Sequence, residues 1–209
     1  MTTSRIVREI VTHYESCLDQ HGDTPQGVDW PNAEDAAKRY RVMLDVIRAP
    51  GKVRLLDFGC GASHLYEYLC KIGNEKIQYS GLDLSRKFIE LSRAKYPEVS
   101  YHHLDLLAEP DALPLFDYIV MNGVFTERLS VPQDEMTSYF QDLIRAVFRK
   151  AQSGVAFNVM SKQVDWERED LFHFSLDALA EFLIAEFGRN FVIRNDYGLY
   201  EYTVYLYRG

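Results

Sequence analysis

Residues 55–63 read Leu55-Leu56-Asp57-Phe58-Gly59-Cys60-Gly61-Ala62-Ser63. The stretch closes an apolar run, VRLLDF (53–58), with a glycine turn, and SHLYEYLCKI (63–72) follows at helical spacing and stops at Gly73. Strand, glycine turn and helix in that order mark the place where doubly wound sheets bind nucleotides. Glycine lets the backbone bend sharply and approach a ligand where a Cβ would collide.

Two neighbours refine the reading. A dinucleotide loop would carry a third glycine at position 64, and His64 stands there instead. Asp57, two residues before Gly59, would repel a pyrophosphate, and it suits a cationic ligand or one bearing an ammonium group.

Outward from the turn, apolar runs and helical stretches alternate. KIQYSGLDL (76–84), VSYHHL (99–104), FDYIVMN (116–122) and SGVAFNVM (153–160) read as strands. Ser85 and Ser175 sit where they cap helices, and Glu135–Lys150 forms a long helix between the fourth and fifth strands. FVIRNDY (191–197) and EYTVYLYR (201–208) close the chain as two β-rich runs. The pattern predicts an α/β fold: a doubly wound, mostly parallel seven-stranded sheet with a C-terminal antiparallel hairpin and helices on both faces. Residues 1–50 read as an N-terminal helical segment packed on a 51–209 core, within one structural domain. Ile6, Ile10, Tyr14 and Leu18 give it a first helical stripe, and Asn32 caps a second helix.

LLDFGCGAS resembles motif I of the class I S-adenosylmethionine-dependent methyltransferases, and later landmarks fall in register with that family over roughly residues 50–209. The resemblance implies S-adenosylmethionine as cofactor and S-adenosylhomocysteine as product. It implies cofactor contacts from Asp57, Gly59, Cys60 and Gly61. Asp83 and Leu84 end the second strand, with Asp83 in the position that accepts the ribose hydroxyls. Asp105 and Leu106 fall where the adenine amine is received. Asn122, in FDYIVMNGVF, falls beside the methionine moiety.

Acceptor contacts are expected from parts outside these motifs. GVDWPNAEDAAKRY (27–40) suggests a lid over the cofactor, with Trp30 in a loop as an acceptor contact and Arg39 or Tyr40 binding the methionine carboxylate; equally, Tyr40 reads as core and Arg39 as a solvated member of the Lys38, Arg39, Arg41 surface cluster. Trp166 and Phe125 are expected to wall the acceptor, Tyr200 and Glu201 to reach it from the hairpin tip, and His173 to serve as general base. No metal site is read, because the His and acidic residues near the predicted pocket do not fall at ligand spacing.

The formal net charge of −8 and the lack of a basic run disfavour nucleic acid and favour a small-molecule, carrier-bound or glycan acceptor. MNGVF (121–125) stands where amino-methylating enzymes carry an Asn-Pro-Pro-Tyr type motif, which favours oxygen. No apolar run is long enough to span a bilayer, and the N-terminus is broken by Arg5, Arg8 and Glu9, so a cytoplasmic location is expected. Cys17, Cys60 and Cys70 read as reduced thiols. Two alternatives remain: a non-catalytic methyltransferase-like binding module, and an NAD-dependent oxidoreductase, which His64 and Asp57 oppose.

Overall fold

The computed structural model describes residues 2–209. Helix α1 (Thr2–His21) leads through a short 3-10 turn (Pro25–Val28) to α2 (Ala33–Leu44). Then follow β1 (Val53–Phe58), α3 (His64–Lys71), β2 (Ile77–Asp83), α4 (Arg86–Lys95), β3 (Ser100–His103) and β4 (Phe116–Phe125). The chain ends with α5 (Gln133–Lys150), β5 (Ala151–Ser161), β6 (His173–Phe174), α6 (Leu176–Phe187), β7 (Phe191–Arg194) and β8 (Glu201–Tyr207).

Side-chain caps fix where several helices begin. Asn32 Oδ1 accepts the Asp35 amide at 2.8 Å, Ser85 Oγ the Phe88 amide at 3.3 Å, and Ser175 Oγ the Ala178 amide at 3.2 Å. Each satisfies a backbone donor that the first helical turn leaves without a partner.

The sheet runs β3-β2-β1-β4-β5-β8-β7, with β6 adding a two-residue pairing on β5 beyond the expected strands. Pairs from β3 to β5 are parallel, and β8 and β7 are antiparallel to their neighbours. The strand order reverses direction between β1 and β4, which opens a crevice at their carboxyl ends.

Alternation along β1 divides the core. Leu56 and Phe58 join Ile119, Phe157, Phe140 and Leu183 under α5 and α6. Val53 and Leu55 join Val42, Met43, Leu65 and Leu69 under α2 and α3. Each fully buried aliphatic or aromatic side chain contributes roughly 1.5–3 kcal/mol relative to exposure.

The fourth strand departs from its expected end at 122. It continues to Phe125 through a register shift against β5 between Met121 and Phe125. Phe125 lies on the same face as Ile119 and Met121 and is wholly buried, edge-on to Phe140 at 4.8 Å between ring centroids. Phe125 is therefore a core residue and not an acceptor contact. Among the described residues, no helix is long and apolar enough to cross a membrane.

Candidate functional site

A pocket enclosing about 900 Å³ opens at the carboxyl ends of β1, β2 and β4. Its floor is the glycine turn: Asp57, Phe58, Gly59, Cys60 and Gly61 line it, with Asp83 and Leu84 from β2 and Asn122, Gly123 and Val124 from β4. Ile10, Tyr14, Val28, Trp30 and Tyr40 line it from the N-terminal segment.

Backbone demands explain two of the glycines. Gly59 has φ +77, and a Cβ there would lie 2.8 Å from Val124 Cγ2. Gly123 has φ +79, and a Cβ would lie 2.7 Å from the Trp30 ring. Trp30 thus closes directly on the β4 bend, where Tyr14 also donates from its hydroxyl to the Gly123 carbonyl at 3.3 Å.

Two carboxylates define the electrostatics. Asp83 accepts from the Gly61 amide at 2.9 Å and the Ser85 amide at 2.8 Å, one bond to each oxygen. Each oxygen keeps a lone pair for a further donor. Burial raises the Asp83 carboxyl, against the lowering by those amides. Asp57 accepts from the Tyr79 hydroxyl at 2.8 Å. Burial pushes it up to about 7, with Asp83 adding to the rise and the Tyr79 bond opposing it. A cation in the pocket would hold both groups ionised. The buried amide oxygen of Asn122 has no hydrogen-bond partner, which leaves an acceptor at the pocket wall for an ammonium. The donor and acceptor set fits S-adenosylmethionine: two acceptors for hydroxyls at Asp83, and anionic or carbonyl oxygen at Asp57 and Asn122 for cationic groups.

Other expected residues fall elsewhere. Asp105 and Leu106 are outside the pocket lining; Asp105 Oδ1 accepts the Leu107 amide at 3.0 Å and Leu106 packs in the core. Arg39 is not a surface residue and does not line the pocket. Its Nε donates to both oxygens of Glu201 at 3.0 and 2.9 Å, and its guanidinium stacks on Trp30 at 4.3 Å. Glu201 is 1% exposed, so it is an internal partner and not an acceptor contact at the hairpin tip. The pair continues inward: Asn158 Nδ2 donates to Glu201 at 3.0 Å, and Asn158 Oδ1 accepts the Gly123 amide at 2.8 Å. This network anchors α2 to the β4 bend. Arg39 Nη1 is left buried without a partner.

His173 does not have a base's freedom. Its Nδ1 lies 2.6 Å from the Ser161 carbonyl, and Nε2 accepts the Arg168 amide at 3.2 Å. Both ring nitrogens are engaged by backbone, so the imidazole holds the 161–173 loop together. Trp166 and Tyr200 are brought together, at 74% and 66% exposed, in a second cleft of about 420 Å³ at the end of β5. Sequence reasoning missed Glu127, in the loop after β4. It is 7% exposed, and burial pushes its carboxyl up to about 7, with Asp29 adding to the rise. An acidic residue in a loop gave no signal of burial.

Residues 56–149 match the family model described as a methyltransferase domain. The sheet order is that of a Rossmann-like methyltransferase fold. The chain is 25% identical over 163 residues to Rv1506c of Mycobacterium tuberculosis, a protein named as a methyltransferase, covering 77% of this chain and 96% of that one. It superimposes on magnesium protoporphyrin IX methyltransferase from Synechocystis PCC 6803 with bound SAH, with a TM-score of 0.64, 14% identity and complete coverage of both chains. The [4+2]-cyclase SpnF matches with a TM-score of 0.61 at 20% identity, over 90% of this chain and 74% of that one. At these identities the solved structures speak for the fold. That a cyclase shares it shows why the chemistry must be argued from the site.

Proposed function

We propose that this domain binds S-adenosylmethionine in the pocket at the ends of β1, β2 and β4 and transfers its methyl group to a small-molecule or glycan acceptor, at oxygen. The observation that carries the reading is the pairing of a glycine floor with Asp57 and Asp83 in one buried pocket. When bound, the donor supplies a methyl carbon already activated by its positive sulfur. The protein's part is then alignment and the exclusion of water.

In this reading Asp83 holds the ribose hydroxyls while the Gly61 and Ser85 amides fix its orientation. Asp57 and the Asn122 amide oxygen face the cationic end. Ile10, Tyr14, Trp30 and Tyr40 cover the pocket, so residues 1–50 act as a lid on the 51–209 core. The lid's rim is polar: Arg5 pairs with Glu135 at 2.6 Å, Glu15 with Ser85 at 2.5 Å, and Asp19 with Lys87 at 2.7 Å. The two ion pairs are exposed, and such contacts are individually weak and leave the lid free to open.

The acceptor enters beside β5, where Trp166 and Tyr200 wall the neighbouring cleft. Exposed aromatic faces suit a sugar ring or an aromatic small molecule. MNGVF after the fourth strand and the acidic charge of the chain support an oxygen acceptor over nucleic acid. A cytoplasmic setting is consistent with its free cysteines.

The test is methyl-labelled donor incubated with a panel of phenols, hydroxylated metabolites and glycosides, with RNA and protein as controls. Label on hydroxyl-bearing small molecules, reduced in Trp166→Ala without change in S-adenosylhomocysteine affinity, is the expected result. Label appearing only on RNA or protein would overturn the acceptor assignment.

A further inference from the structure

Beside the cofactor pocket, the face of α1 turned toward the Pro25–Val28 turn carries a side-chain cluster that the proposed reaction does not use. His13 and Cys17 stand four positions apart on one helix, so their side chains share a face. Asp29, immediately after the turn, brings its carboxylate onto them. His13 Nε2 lies 2.8 Å from Asp29 Oδ2 and 3.9 Å from Cys17 Sγ, and the three donor atoms fall within 4.8 Å of one another. A tetrahedral site with bonds of about 2.1 Å to nitrogen or oxygen and about 2.3 Å to sulfur spaces its donors roughly 3.3–3.6 Å apart. The two distances bracket that spacing, and small side-chain rotations would meet it.

The geometry points to a transition-metal site in which His13 Nε2, Cys17 Sγ and Asp29 Oδ2 are the protein ligands. A thiolate with an imidazole selects zinc or a metal like it over magnesium or calcium. Binding replaces the His13–Asp29 hydrogen bond and releases the thiol proton to solvent. The sequence hid the site because Asp29 reaches α1 only through the fold of the turn. Tyr14 follows His13, Trp30 follows Asp29, and both line the cofactor pocket. The metal would staple two walls of the lid together.

The experiment uses the full chain, stripped by chelator, with Cys70→Ser in the background because Cys70 is an exposed competing thiol. Titration with Co²⁺ is expected to give one equivalent of binding and a thiolate-to-cobalt charge-transfer band, displaced by Zn²⁺. Zn²⁺ is expected to raise Tm. Cys17→Ser should lose the band, and His13→Ala should weaken Zn²⁺ at least tenfold, both with unchanged circular dichroism. No charge-transfer band, a band retained in Cys17→Ser, or an equal Zn²⁺ shift of Tm in His13→Ala would overturn the assignment. S-adenosylhomocysteine affinity, measured on the stripped protein, reports on the cofactor pocket separately.

Discussion

The cofactor pocket of this molecule and the region around β5 and β8 are built differently. In the pocket, Asp57, Gly59, Gly61 and Asp83 come from strand ends and one turn; backbone amides hold Asp83 and the Tyr79 hydroxyl holds Asp57. Around β5 and β8 the important contacts join distant parts of the chain through side chains: Arg39 to Glu201, Asn158 to Gly123, His173 to Ser161. A backbone cradle tolerates change around it. A side-chain network depends on each of its members, and the expected effects of mutation should separate accordingly.

The largest effect is expected at the buried pair. Arg39→Ala leaves Glu201 charged, 1% exposed and without its partner, and removes the stacking on Trp30. Breaking a buried pair from one side costs about 3–5 kcal/mol. Urea unfolding should show that loss, and an Arg39→Met, Glu201→Leu double variant should recover much of it. A single variant as stable as the wild type would mean that the network does not hold α2.

Next comes the cradle. Asp83→Ala removes both hydroxyl acceptors, and with charged hydrogen bonds worth about 1.5–3 kcal/mol each, S-adenosylhomocysteine affinity should fall about 100-fold or more. Calorimetry reads this directly. Stability should change far less than in Arg39→Ala, because the amides of Gly61 and Ser85 can turn to water.

The pH dependence sharpens the contrast. Asp57 in the empty fold stands at about 7 and in the unfolded chain near 3.8. Between about pH 4 and 7 the folded state therefore holds a proton that the unfolded state has released. That contribution to stability is full at low pH, declines as pH rises through this window, and is level above about 7. Affinity for the cationic donor should run the other way, falling up to about tenfold per pH unit below 7. S-adenosylhomocysteine, which lacks the sulfonium, should show a weaker slope. Parallel titrations of the two ligands at several pH values check it.

The smallest effect belongs to the outer cleft. Trp166→Ala, at a residue 74% exposed, should raise the acceptor KM by about tenfold and leave Tm within about 1 °C, as surface truncations do.

The difference between the two regions also explains what could be read in the sequence. VRLLDF, the glycine turn and the capping residues Asn32, Ser85 and Ser175 announce their structure locally, and each forms as expected. Asp57 and Asp83 are legible for the same reason, since strand ends place them. Trp30 and Tyr40, which line the pocket, stand where the sequence offers a helix cap just after one and a helical stripe containing the other. Arg39 and Glu201 were assigned to ligands because a charged residue gives no sign of a partner 162 positions away. Phe125 falls in the core because β4 runs on past Asn122 and keeps it on the face of Ile119 and Met121, and no signal in the sequence marks that extension. His173 looked like a base until both its nitrogens were found against the backbone.

The central claim is that the pocket with Asp57 and Asp83 is built for a sulfonium donor and its product. Calorimetry of S-adenosylhomocysteine into the purified wild-type chain at neutral pH tests it most directly. One-to-one binding that Asp83→Ala largely abolishes is the predicted result. No heat at millimolar ligand, or equal heat from both proteins, would contradict it.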